Sequence, residues 1–342
     1  MHHPLRLTSS KDALASNWHW FARQSGTTCG AAVKADAYGL GVHDAVKTLH
    51  AAGCRDFFVS TWWEAHQLTD LPEHASVAVL HGFGPDDLTS PERYGVRPVL
   101  NSPAQVARWK AAAPGGACDV MIDTGINRLG LRPEEIAELD GLAIHTLHSH
   151  LACADEDHPL NRIQLDRFRS VAVEVPAQRY SLANSAGVLL GREYAFDLVR
   201  PGLGLYGGVP RSEARGSIQQ VAHLEAQVVQ RRVIRAGESC GYSAQFVAQR
   251  DTEAAIVNIG YADGYWRGFS GKGSARAGGA TMPVLGRVSM DLVALGCDSL
   301  PGLKEGDWVL LDFSLEEAAR ASGKSQYELL TGLGRRFERV WH

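Results

Sequence analysis

Lys34 stands where a lysine is hard to accommodate. It ends the apolar run Ala31-Ala32-Val33, and Tyr38, Gly39 and Gly41 follow it. A buried amine must be paired, neutralised or used covalently. An amine that sheds its proton on burial is suited to Schiff-base chemistry. The same segment also fits a lysine whose stem lies along a strand end while its ammonium reaches water. Other polar residues occupy comparable places. Arg128, in Asp123-Thr124-Gly125-Ile126-Asn127-Arg128, could present its donor fork to a carboxylate or phenolate, or be an ordinary loop arginine. His150, in His148-Ser149-His150, could stack on a planar ring or relay a proton, or be a satisfied core histidine. On a strand, His148 and His150 would share a face, which also allows a metal site, although no third ligand is evident. Asn184-Ser185 reads as an anion site at a helix start or as a plain cap. In Arg200-Pro201-Gly202-Leu203-Gly204-Leu205-Tyr206 the glycines let the backbone approach a phosphate, or make a tight turn. Gly241-Tyr242, Gly260-Tyr261 and Ser289-Met290-Asp291 come later in the chain.

The elements needed to hold these residues are legible. Strand-like runs at Ala31–Val33, Asp56–Ser60, Val77–His81, Arg97–Leu100, Cys118–Asp123, Ile144–Leu151, Arg179–Leu182 and Asp197–Arg200 alternate with helical segments. The helices read as His43–Ala52, Trp62–Leu68, Pro103–Ala112, one opening at Arg132-Pro133, Asn161–Val173 and one near Ser185–Leu190. Eight or nine such units before residue 210 predict a (β/α)₈ TIM-like barrel. Lys34, Arg128, His150, Asn184 and Arg200 then follow strands, on the face where barrel active sites lie. After Gly216 the texture becomes short strands separated by Gly and Pro, and we expect a mainly β C-terminal domain. The domains are read as 1–215 and 216–342. Strands are expected at Ala222–Ile234, Ala254–Ile259, Met282–Val284, Leu292–Leu295 and Asp307–Leu311, with helices at Ser314–Ala321 and Ser325–Leu330. Gly271–Gly279 reads as a surface loop.

Composition narrows the class. The net charge of −4 argues against nucleic acid or a membrane surface as partner. No apolar run is long enough to span a bilayer, and no hydrophobic leader opens the chain, so a cytoplasmic location is expected. The six cysteines are scattered without a Cys-x-x-Cys pair, so neither a zinc site nor a disulfide framework is expected.

Taken in order, these segments resemble the alanine racemases, barrel-type enzymes that use pyridoxal 5'-phosphate (PLP). The resemblance covers nearly the whole chain. It implies that Lys34 carries PLP covalently and that Tyr38, His150, Asn184, Ser185, Arg200, Gly202, Leu203 and Tyr206 surround the cofactor. Arg200 would face the pyridine nitrogen. An arginine there leaves that nitrogen unprotonated and the ring a weaker electron sink, which disfavours transamination and decarboxylation. Racemisation needs a base on each face of Cα, and the resemblance implies Lys34 and Tyr242, the latter from the partner subunit of a homodimer. A phenol's ordinary pKa near 10 requires nearby cations for this work. The family's relay from this tyrosine through a histidine to the arginine falls on His150 and Arg200. Arg128 would hold the substrate carboxylate, and Tyr261 and Met290 of the partner subunit would line a pocket sized for alanine.

Three positions depart from the family. Met121 stands where a lysine, often carbamylated, is usual, so Arg128 must be oriented otherwise, with Asn127 a candidate. The C-terminal tyrosine that reaches the phosphate has no counterpart, and Arg335 or Arg336 could substitute. Leu5-Arg6-Leu7-Thr8 matches the usual first strand poorly. Neighbouring readings are a racemase of broader specificity, taking serine or other small amino acids, and a non-catalytic PLP-binding protein. The latter lacks a β domain. A barrel decarboxylase would want an acidic partner for the ring nitrogen, which Arg200 is not.

Overall fold

A computed structural model of the chain describes residues 2–68, 71–87 and 95–342. They divide into two compact units, one within residues 14–37 and 41–219, the other within residues 2–13, 38–40 and 220–342.

The first unit is a parallel barrel. Seven strands lie side by side in chain order: Ala31–Ala32, Asp56–Val59, Ser76–Val79, Val96–Leu100, Ala117–Met121, Ala143–His148 and Arg179–Ser181. Every neighbouring pair is parallel. An eighth strand, Leu198–Val199, pairs with Thr28–Cys29 and closes the ring. On one side Arg200 N donates to Ala183 O at 2.9 Å, and on the other Gly30 N donates to Val199 O at 2.9 Å. Strands buried on both faces read as continuous apolar runs rather than alternations, and all four residues of Asp56–Val59 are buried. The surrounding helices are amphipathic. Val42–Ala51 buries Val42, Ala45, Val46 and Leu49, one stripe at helical spacing. Pro103–Ala112 starts as its sequence predicts, with Pro103 in the first position and the Ser102 hydroxyl accepting from Gln105 N at 3.3 Å. The segments at Pro133–Leu139 and Gly187–Leu190 are 3₁₀ turns rather than α-helices. The strand expected to reach Leu151 ends at His148, and the next residues serve the site described below.

The second unit is a mainly antiparallel sheet. Its strands run in the order Thr252–Val257, Val293–Gly296, Ala280–Leu285, Ser274–Ala277, Trp308–Leu311, Ala222–Ile234, Leu5–Ser9 and Glu338–Trp341. Thr252–Val257 also pairs with Ala222–Ile234, so the sheet curls back on itself. Two readings of the sequence are corrected here. Leu5–Ser9, which the boundary at residue 215 counted with the barrel, is a strand of this sheet. It lies between Ala222–Ile234, antiparallel, and Glu338–Trp341, parallel. The stretch Gly271–Gly279 is not simply a loop, since Ser274–Ala277 forms a hairpin with Ala280–Leu285. Its two-residue turn is Gly278-Gly279, with φ of 52° and 83°, the conformation a primed hairpin turn requires. The helices Leu315–Ser322 and Gln326–Thr331 lie where expected.

Candidate active site

Lys34 opens a left-handed turn. Ala35, Asp36, Ala37 and Tyr38 have φ between 52° and 58°, a run that costs about 1–2 kcal/mol per residue for L-amino acids. Four hydrogen bonds hold it. Ala35 N donates to Glu64 Oε1 at 2.8 Å, and Ala37 N donates to Val33 O at 2.9 Å. Gly41 N donates to Asp36 O at 3.0 Å, and Val42 N to Asp36 Oδ1 at 2.8 Å. The Glu64 carboxylate also accepts from Ser60 N at 2.5 Å and from Thr61 N at 3.3 Å, closing a capping box at the start of Trp62–Gln67. One carboxylate thus anchors a helix start and the residue beside Lys34. Burial lowers the Lys34 pKa, the cations Arg128 and Arg200 lower it further, and Glu64 opposes them. Tyr38 ends the turn buried, its ring 6.3 Å from that of Tyr327.

Arg200, directly after the last barrel strand, is buried in a polar network. Its guanidinium donates to Ser149 O at 2.7 Å, to the Ser181 hydroxyl, and to His148 Nδ1 at 3.2 Å. An Nδ1 that accepts leaves the proton of neutral His148 on Nε2, which donates to Asp119 Oδ2 at 3.2 Å. Asp119 Oδ1 accepts from Arg97 Nε at 3.2 Å and Thr146 N at 3.1 Å. Burial together with the Arg200 charge pushes His148 down to about 4, against the pull of Asp119. Despite its burial, Asp119 is held well below the usual carboxylate range by its histidine partners and Arg97. The sequence reading gave the histidine next to Arg200 as His150; the hydrogen bond to Arg200 belongs to His148. His150 lies among the same cations, and burial, then Arg200, Arg128 and Lys34, push it down to about 3. Both ring nitrogens of His148 are committed, which leaves it no lone pair for a metal.

Ser185 gathers backbone donors. Its Oγ accepts from Gly202 N at 2.8 Å and Gly204 N at 3.3 Å, at the start of the short turn Leu203–Tyr206. A Cβ on Gly204 would lie 2.3 Å from the Phe21 ring, so only glycine lets the turn sit this deep. A buried hydroxyl among converging N–H groups suits a phosphate. With Lys34 and a guanidinium for a ring nitrogen, the donor set fits a phosphorylated pyridine aldehyde. Asn184 and Tyr206 are engaged otherwise. Asn184 Oδ1 accepts from Gly187 N at 2.9 Å, and the Tyr206 hydroxyl donates to Ala32 O at 2.9 Å, two residues before Lys34.

Arg128 is exposed, and no hydrogen bond or ion pair holds its guanidinium among the described residues. Asn127 does not orient it. Asn127 N, with Gly125 N and Ile126 N, donates to Asp123 Oδ1, which shapes the loop instead. Met121, in the place of the usual lysine, is buried.

The remaining candidates lie in the β unit. Tyr242 is 65% exposed and Met290 52% exposed. Tyr242 borders a recess of about 560 Å³, which Cys240, Arg287 and Ser289 also line. Tyr261 stacks under the Arg267 guanidinium at 4.9 Å. Arg336 does not offer itself to a phosphate, because its three guanidinium nitrogens bind Asp263 and Asp291. Sequence reasoning missed Glu64, Asp119 and the role of His148. Thr61-x-x-Glu64 is a capping-box spacing and would have flagged the first.

Residues 9–210 match the family model "Alanine racemase, N-terminal domain", and residues 221–341 match "Alanine racemase, C-terminal domain". Among curated relatives, a protein of Agrobacterium fabrum named "Alanine racemase, catabolic" is 41% identical, over 98% of this chain and 91% of the relative. Another from that organism, "Alanine racemase, biosynthetic", is 39% identical, over 99% and 94%. The crystal structure of alanine racemase from Bartonella henselae with covalently bound pyridoxal phosphate superposes with a TM-score of 0.92 at 35% identity, over the full length of both chains.

Proposed function

That this chain belongs to the alanine racemase family is the premise from which we propose its function: it holds PLP on Lys34 and interconverts L- and D-alanine with two bases, Lys34 and Tyr242 of the partner subunit. Ser185 and the backbone N–H groups of Gly202 and Leu203 bind the phosphate, and Tyr38 assists them. Arg200 faces the ring nitrogen, held there by His148, Ser181 and the Ser149 carbonyl. Bound PLP supplies an electron sink that acidifies the substrate Cα–H. Lys34 Nζ and the phenol oxygen of Tyr242 of the partner subunit then stand on opposite faces of Cα. In one direction Lys34 Nζ takes the proton and Tyr242 of the partner subunit delivers one. In the reverse direction the roles exchange. Arg128 holds the substrate carboxylate, since no hydrogen bond or ion pair among the described residues occupies its donor fork. Tyr261 and Met290 of the partner subunit line a pocket that favours a methyl side chain.

The observation that carries this reading is the grouping around Lys34: an amine of lowered pKa beside two arginines, in the same barrel as a buried hydroxyl on which backbone N–H groups converge. The exposure of Tyr242 and Met290 supports their service to a second copy of the chain. Relatives carry both biosynthetic and catabolic names, and either role draws on this one reaction, as a source of D-alanine for cell wall or as the entry to alanine breakdown. No helix among the described residues is long and apolar enough to cross a membrane, and all six cysteines are free thiols. Both fit action in the cytoplasm.

The test is L-alanine turnover in deuterium oxide by the PLP-loaded protein, following Cα deuteration and D-alanine together. Wild-type protein should show both, whereas Tyr242→Phe should lose about 10²–10⁴-fold in inversion, the usual worth of a positioned acid–base group. Undiminished inversion in Tyr242→Phe would remove Tyr242 from the mechanism. Turnover of serine at a rate matching alanine would favour the broader-specificity reading.

A further inference from the structure

The loops bearing Tyr261 and Met290 are tied together by a side chain that takes no part in the proton transfers. Tyr261 N donates to Ser289 O at 3.0 Å, and Ala262 N donates to Met290 O at 3.1 Å. Gly260 packs so closely that a Cβ would lie 2.2 Å from Met290 O. Beneath this contact Asp263 is completely buried, and its Oδ2 accepts from Gly260 N at 3.0 Å. A buried carboxylate is costly unless paired and fully hydrogen-bonded. Its partner is Arg336, whose Nε and one terminal nitrogen reach the two Asp263 oxygens at 2.6 and 2.7 Å. The other terminal nitrogen reaches Asp291 Oδ1 at 2.7 Å. Asp263 follows Tyr261 by two residues, and Asp291 follows Met290 directly.

We propose that Arg336 is a positioning residue that locks the Tyr261 and Met290 loops in one register and so sets which side chains the substrate pocket accepts. The proposal rests on the pocket assignment made above for Tyr261 and Met290. The bidentate fork fixes the angle of one loop, and the third nitrogen fixes the distance to the other. A lysine, a point charge on a flexible stem, can satisfy the charge of Asp263 but cannot impose that geometry. Rejecting one extra atom on a methyl-sized substrate is worth only about 10–200-fold, and it needs walls that do not give way. A clamp on the wall-bearing loops therefore acts on discrimination more than on the chemical step.

The experiment compares wild-type holoenzyme with Arg336→Lys and Asp291→Asn, the second of which leaves the buried Asp263 pair intact. Amide hydrogen exchange is read at Tyr261 and Ala262, and kcat and KM are measured for L-alanine and L-serine. Both variants should exchange these two amides faster, by about tenfold, as the local contact opens. Both should narrow the alanine-to-serine ratio of kcat/KM by about tenfold, with kcat for alanine changing less. Unchanged exchange in both variants would overturn the clamp. Faster exchange with an unchanged ratio would overturn its role in specificity. Tyr261→Ala and Met290→Ala run beside them. If these also leave the ratio unchanged, the pocket assignment itself fails and the specificity role falls with it, while the exchange data still decide the clamp.

Discussion

At the scale of single residues, Arg200 is held from behind by a chain of buried side chains. Arg200 keeps its orientation because His148 accepts from it, and His148 keeps the required tautomer because Asp119 accepts from Nε2. These two hydrogen bonds call for a neutral His148, because Nδ1 must accept from Arg200. Its pKa, about 4 when folded, lies below the 6.5 of an unfolded histidine. As pH falls below 6.5 the unfolded chain binds a proton that the folded protein refuses until about pH 4, so stability is lost across that window. His150, pushed down to about 3, acts in the same direction. Asp119, held below its ordinary range, adds a further loss at lower pH, as its carboxylate is protonated. We expect the Tm of the wild-type protein to fall steadily from pH 7 to pH 5. His148→Gln, which cannot take up a proton, should flatten part of that slope while lowering Tm at pH 7. A slope unchanged in His148→Gln would show that His148 does not carry this linkage. The sequence made Lys34, Ser185 and Arg200 candidates because each follows a strand and carries chemistry of its own. It offered His148 only as half of a candidate metal pair, because the partner that engages its Nε2, Asp119 in the neighbouring strand, lies 29 positions away.

At the scale of elements, the strained turn after Lys34 is held by a helix start. The parallel strands were legible because buried strands are continuous runs of apolar residues, as in Phe57-Phe58-Val59. The left-handed turn was not, since Ala35, Asp36 and Ala37 carry no glycine to announce positive φ. The strand Leu5–Ser9 stayed unplaced because its partners, Ala222–Ile234 and Glu338–Trp341, lie more than 200 residues away, although its alternation of buried and half-buried residues suits the antiparallel sheet it joins. Glu64 supplies both an acceptor for Ala35 N and a negative charge that opposes the lowering of the Lys34 pKa. Two substitutions separate these contributions. Glu64→Gln keeps one oxygen for Ala35 N–H, gives up the acceptor facing Ser60 N and Thr61 N, and removes the charge, so the Lys34 amine should lose its proton at still lower pH. Covalent attachment of PLP to the apoprotein requires the neutral amine, so the pH profile of its rate should shift to lower pH. Glu64→Ala should shift the profile likewise and also slow attachment at every pH, because the turn loses an anchor. Following the absorbance change on PLP addition checks both, and an unshifted profile in Glu64→Gln would exclude the electrostatic role.

At the scale of the whole molecule, the question is whether one chain carries a complete site. The two proposed bases lie in different compact units, and Tyr242 is largely exposed to solvent. If each site draws Lys34 from one subunit and Tyr242 from the other, inactive variants can repair one another. Lys34→Ala and Tyr242→Phe are each expected to be inactive as homodimers. In a hybrid dimer, the Tyr242→Phe chain still supplies Lys34 and the Lys34→Ala chain still supplies Tyr242. One of the two sites is then wild type, and the other lacks both bases. Random exchange of equal amounts makes half of all dimers hybrids, so about a quarter of all sites should be intact. Mixed protein, dissociated and reassociated, should therefore recover about a quarter of wild-type racemase activity. If both bases of a site come from the same chain, no combination of these variants contains an intact site, and mixing recovers nothing. The outcome separates the two arrangements without depending on absolute rates, because only the ratio to an equally treated wild-type sample is read.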